Sequence, residues 1–138
     1  MTIVAAVDAD DRPDRVVTVG EELADAFGEE LVVLHVVTEA EFERRRADRE
    51  YFVDEAAKDA ARTAGWVVSG TLDDAEDVRT EGRVGEPAEE IRQFAEESDA
   101  RFVVVGGRKR TPVGKAVFGS VTQSILLNAA APVVTVMD

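Results

Sequence analysis

Residues 102–124 read FVVVGGRKRTPVGKAVFGSVTQS, and the change of pattern inside this stretch decides how the chain folds. Phe102 to Val105 is apolar, mostly β-branched, and stopped by two glycines. A run so short with such an end reads as a strand buried on both faces, because a helix needs more residues and a period of 3.6. After a basic loop, Ser120 opens a helical segment to Asn128, and Pro132 to Met137 then supplies another apolar strand.

Working backwards from Phe102 gives the same alternation. Gly85-Glu86-Pro87 starts a helix, with Pro87 in the first turn where a missing N–H costs nothing, and Ala88, Ile91, Phe94 and Ala95 facing inward. Before it, Val78 to Val84 is a weaker strand, alternating and half apolar. The charged segment from Thr38 to Gly70 reads as a loop leading into a helix with a stripe of Phe42, Tyr51, Phe52, Ala56, Ala60 and Ala64. Leu31 to Val37, LVVLHVV, is a buried strand, and Thr2 to Val7 is another. Between them Val16, Val19, Leu23 and Phe27 line a helix that Gly28 closes in left-handed geometry. Strands joined by helical crossovers predict an α/β fold: a five-stranded parallel sheet, doubly wound, forming one domain over residues 1–138.

The totals agree with one domain. The 138 residues are 45% hydrophobic, enough for a core, and neither a bilayer-length apolar run nor a signal-like N-terminus is present. The expected setting is cytoplasmic, away from membranes. With no cysteine and a lone His35, disulfides, thiolate chemistry and structural zinc are excluded. A net charge of −13 repels nucleic acid and anionic lipid and suits high salt, which points to a halophilic host.

Against that charge, residues 102–137 contain no Asp or Glu, and Arg108, Lys109, Arg110 and Lys115 gather in the loop. Ligands of open parallel sheets sit at the carboxyl ends of the strands, where strand order reverses. Asp8, Val36, Gly85 and residues 106–110 are delivered to that edge. Glycines there allow main-chain N–H groups close to a phosphate, and the helix opening at Ser120 adds its positive end. Two other readings explain parts of the pattern. Ser120 and Gln123 fit a capping box that is purely structural, and a subunit interface over the last helix would also keep it free of acids.

Strand one ending in Asp8, Leu34-His35-Val36, Val84-Gly85-Glu86-Pro87, and FVVVGG followed by FGSVTQSIL together resemble the universal stress protein family over essentially the whole chain. The most specific part is that family's loop of glycine, two residues, glycine, nine residues, glycine, then Ser or Thr. Gly106, Gly119 and Ser120 match it, and Lys109 stands at the second glycine. The resemblance implies a dimeric fold of the Rossmann-like, adenine nucleotide alpha-hydrolase-like kind, one branch of which binds ATP. It implies that Asp8 contacts the nucleoside and the main chain of Val36 meets adenine. Val105, Gly106, Arg108 and Lys109, with Gly119, Ser120, Val121 and Thr122, would hold the phosphates, with Mg²⁺ accompanying them. Lys109 obstructs close backbone approach or grips phosphate as a point charge, and Pro112 stiffens the same loop.

The expected function is therefore a stress-response binding protein that holds adenine nucleotide and is not an enzyme. The alternative is a protein-interaction dimer of the same fold that has lost its nucleotide. No nucleophile-plus-base pair or HExxH-like spacing occurs, and a phosphoacceptor site lacks its later Asp and Lys. Asp10 and Asp11 read as turn or helix-start residues, and His35 as a packed, hydrogen-bonded histidine. Arg44 to Arg46 read as a solvated helix face and Trp66 as core or interface. The uncharged strand Val133 to Met137 is expected to pair with a second copy.

Overall fold

The structure is a computed structural model that describes residues 1–9, 13–107 and 119–137, and the main chain of 109–110 and 116–117. Asp10, Asp11, Arg108, Pro112, Gly114, Lys115 and Asp138, together with the side chains of Lys109 and Arg110, lie outside the described residues. In chain order the elements are β1 (Thr2–Ala6), α1 (Arg15–Phe27), β2 (Glu30–Val37), α2 (Glu39–Asp48), α3 (Val53–Ser69) and β3 (Arg79–Val84). There follow α4 (Pro87–Glu97), β4 (Ala100–Gly106), the short β5 (Lys109–Arg110) and β6 (Ala116–Val117), α5 (Ser120–Asn128) and β7 (Val133–Val136).

As the alternation predicts, five strands form one parallel sheet, and its order is β3-β2-β1-β4-β7. Its two faces are buried separately. Ile3, Ala5, Leu31, Val33 and Val104 pack against α1 and α3, whereas Val4, Val32, Leu34, Val103 and Val105 pack against α4 and α5. Strict alternation along β1 and β2 between two helical layers is why both strands read as continuous apolar runs.

Local signals explain most element ends. Asp14 caps α1, its carboxylate accepting the Val16 N–H at 2.8 Å, and Gly28 ends that helix at φ 65°. Pro87 is the first residue of α4, and the Glu86 carboxylate accepts the N–H groups of Ala88 and Glu89.

The segment from Thr38 to Gly70 departs from expectation: two helices stand where a loop and one helix were predicted. α2 buries only Phe42, so almost no apolar period marks it. Its support is the Thr38 cap, the Arg45–Glu41 pair at 2.9 Å and the packing of Phe42 on Tyr51 at 5.7 Å between ring centroids. Phe52 sits at the cap position before α3, outside the helix, and is 57% exposed rather than part of the inward stripe. Trp66 is 64% exposed on α3 and does not belong to the core. α3 runs straight through Gly65. Arg45 and Arg46 are paired with Glu41 and Glu43 on the surface, as a solvated face requires.

Candidate functional site

β1 leaves the sheet between β2 and β4, and strand order reverses there. Register Ala6↔Leu34 on one side and Ala5↔Val104 on the other carry Asp8, Val36 and Gly106 out at the same carboxyl edge. Asp8 is exposed there and Val36 half-buried. Beyond Ala6 the Val7 N–H still donates to the Leu34 carbonyl at 2.9 Å, and the Val7 carbonyl accepts the His35 Nδ1–H at 2.8 Å. His35 is thus the packed, hydrogen-bonded residue that its position in an apolar strand suggested.

On the other side of the reversal, β4 and α5 meet directly. The Thr122 hydroxyl donates to the Gly106 carbonyl at 2.7 Å, and Thr122 is buried by the contact. This bond, between residues 16 apart, swings the start of α5 against the exit of β4. Gly107 then donates its N–H to the Val136 carbonyl at 3.0 Å, tying the same exit to β7.

The capping box does not form. Gly119 is the N-cap of α5, Ser120 is its exposed first residue, and no side chain caps the helix. The first backbone bond runs from the Gln123 N–H to the Gly119 carbonyl at 3.0 Å. Thr122, whose hydroxyl could have served the helix end, is turned inward to Gly106 instead. The N–H groups of Ser120, Val121 and Thr122 therefore point out of the helix start with no capping side chain among the described residues, the arrangement that favours an anion.

Two glycines at this edge, Gly106 and Gly119, are not demanded by the protein itself. Gly119 has φ −68°, and a Cβ built there would meet nothing within 4 Å. At Gly106 a Cβ would make only an ordinary contact with Val16 Cγ2 at 3.8 Å. What both lack is bulk on the open side of the crevice, which suits a group seated against main chain. The donor set suits a phosphate group, with the main-chain N–H groups of Ser120 to Thr122 beside the exit of β4.

Of the residues singled out in the sequence, Gly106, Gly119, Ser120, Val121 and Thr122 are brought together, with Asp8 and Val36 along the same edge. Val105 is buried in the core, so only its main chain faces this edge. Lys109 lies in β5, which pairs antiparallel with β6 through Lys109↔Val117. Its main chain is extended, so no left-handed backbone is asked of a lysine where the motif has glycine. The hairpin itself was not anticipated. Among the described residues no three acidic or imidazole groups converge as a metal site, and no helix is long and apolar enough to cross a membrane.

Comparison with known proteins finds relatives over nearly the whole chain. A family model described as the universal stress protein family matches residues 1–137. A universal stress protein of Mycolicibacterium smegmatis is 34% identical over 122 residues, covering 82% of this chain and 91% of that protein. Among solved structures, a universal stress protein from Archaeoglobus fulgidus is 33% identical with TM-score 0.69, covering 98% of this chain and 97% of its own. A second structure from Archaeoglobus fulgidus, in complex with dAMP, is 26% identical with TM-score 0.62, covering 98% and 96%.

Proposed function

The chain belongs to the universal stress protein family, and from that membership and the crevice we propose that it binds adenine nucleotide and acts by occupancy. In this reading ATP is the ligand, and Mg²⁺ arrives on its phosphates, since among the described residues no three carboxylates are grouped to hold the ion. The protein works as a cytoplasmic homodimer in a salt-adapted cell and turns its ligand over slowly or not at all.

The observation that carries this reading is the Thr122–Gly106 bond, which sets an uncapped helix start beside the exit of β4. Oriented N–H groups in that position stabilise negative charge without any side chain. The dAMP held by the Archaeoglobus fulgidus relative supports the adenine nucleotide class. Phosphates with one or more negative charges would also find no competing carboxylate on β4, α5 or β7. For the chain's own residues, Asp8 offers a carboxylate to ribose hydroxyls, Ser120 to Thr122 orient phosphate, and Val36 offers a main-chain donor and acceptor to the base.

Calorimetry with ATP, ADP and AMP in high-salt buffer, with mass spectrometry of small molecules released on denaturation, tests the proposal. Saturable binding of adenine nucleotide is expected. No heat of binding at millimolar nucleotide, with nothing released from the purified protein, would reject it.

A further inference from the structure

Strand pairing between β1 and β2 stops one rung early, where a side-chain hydrogen bond stands in place of the backbone one. In a parallel ladder each residue bonds to the two residues flanking its partner. Register Ala6↔Leu34 places Val7 opposite His35, and the first of the two bonds, from the Val7 N–H to the Leu34 carbonyl, is made. The second would run from the Val36 N–H to the Val7 carbonyl. It is not made, and that carbonyl accepts the His35 Nδ1–H at 2.8 Å in its place.

Which way the Val36 peptide faces follows from its neighbours. The Val37 carbonyl accepts the Gly85 N–H at 2.9 Å, so residue 37 bonds toward β3. Alternation along β2 then turns the N–H and C=O of Val36 toward β1, into the gap that opens before Asp8.

We infer that His35 is a positioning residue that wedges β1 from β2 at their carboxyl ends and so leaves the Val36 N–H and C=O, which have no partner on β1 among the described residues, to read a nucleobase. This rests on the nucleotide reading above. A donor and an acceptor side by side on one residue match adenine, whose amino donor adjoins ring-nitrogen acceptors. Guanine presents the opposite polarity at that position, with a carbonyl oxygen beside its N7 acceptor. A hydrophobic residue at position 35 would leave the Val7 carbonyl needing a partner, and the Val36 N–H is the nearest one.

Amide hydrogen exchange followed by NMR, with calorimetry, tests the wedge. In the nucleotide-free wild-type protein the Val36 amide is expected to exchange faster than the Leu34 amide, which is inside the ladder, and to slow when AMP is added. In His35→Leu the missing rung closes: Val36 becomes protected without ligand, and AMP binds about tenfold more weakly, one hydrogen bond's worth. Inorganic triphosphate, which does not use Val36, should bind His35→Leu and wild type alike. His35→Asn places an amide donor where Nδ1 stood and should restore AMP binding. A Val36 amide as slow as Leu34 in wild type, or unchanged AMP affinity in a folded His35→Leu, would overturn the inference. Should His35→Leu fail to fold, loss of AMP binding in a folded His35→Asn would overturn it equally. If wild type takes no AMP, the nucleotide reading falls, and the exchange rates of wild type and variants still decide whether His35 wedges the strands.

Discussion

At one edge of the sheet β3 carries RTEGRV, and at the other β7 carries VVTV. The β3 arginines are held in ion pairs: Arg79 with Glu30 at 3.3 Å and Glu81 at 3.0 Å, Arg83 with Glu97 at 2.6 Å and Glu90 at 3.8 Å. β7 has no charge to place. The helix leading to it exposes Leu127 at 83%, and Met137 beyond it is exposed as well. Charged side chains on an edge deter another strand, and an apolar edge invites one. In a chain with 29 acidic residues, an edge left bare of charge is the edge to which a second copy is expected to add.

The two edges also differ in how they are fastened. β3 is clamped by α3, which lies so close that a Cβ on Gly82 would sit 2.0 Å from the Ala57 carbonyl oxygen and 2.5 Å from the Ala61 nitrogen. Helix backbone cannot move aside as a side-chain tip would. The largest effect expected is therefore from Gly82→Ala, which should cost about 3 kcal/mol as α3 is forced from the sheet. Urea unfolding would show it as a lowered midpoint.

At β7 the weak point is the outward main chain. Val103 donates to the Pro132 carbonyl and Gly107 to the Val136 carbonyl, so even-numbered residues of β7 bond inward and Thr135 faces outward. Proline at 135 removes an outward N–H and spares the ladder to β4. Thr135→Pro is expected to weaken a β7-paired dimer by about 2 kcal/mol, one bond lost on each copy, while the monomer stays folded. Light scattering over a dilution series measures this, and a wild type already monomeric at micromolar concentration would remove the premise.

A smaller change is expected from Arg83→Gln on the charged edge. Its pairs with Glu90 and Glu97 are partly exposed, and Arg83 also lies 5.2 Å from the centre of the Phe94 ring. Thermal unfolding should register a loss below about 1 kcal/mol, shrinking as salt is raised.

The smallest effect concerns acid. Hydrogen bonds from Arg92, then from Gln93, hold the Glu89 carboxyl down to about 2 from 4.5. A depressed carboxyl stabilises the fold above its unfolded value and loses that contribution as pH falls from about 4.5 through about 2. Glu89 is at the surface of α4, so the loss is slight. Melting temperatures of wild type and Glu89→Gln should differ a little at neutral pH and converge below pH 2.

Much of this molecule could be read along the chain because the relevant signals are short-range. Apolar runs, Gly85-Glu86-Pro87 and Gly28 all act within a turn of themselves, and they gave the element order and the doubly wound layers. The loop glycines and the acid-free quarter marked the edge of the sheet at which β1, β2 and β4 end side by side. α2 escaped notice because a helix that buries one side chain writes almost no period, and Phe52 misled because a helical spacing continued past the helix's first residue. Ser120 looked like a cap by spacing, yet the hydroxyl that mattered was that of Thr122, whose partner lies on another strand.

Composition and periodicity are properties of neighbours, and they sufficed for which segments become strands, which faces are buried, and where charge is withheld. The docking of α5 on β4 depends on a bond between Thr122 and Gly106, and the parting of β1 from β2 on one between His35 and Val7, 28 residues apart. Such pairs come within reach only once the sheet has assembled, since strand order sets which ends lie side by side. The crevice therefore belongs to the assembled sheet, and its raw materials to the chain.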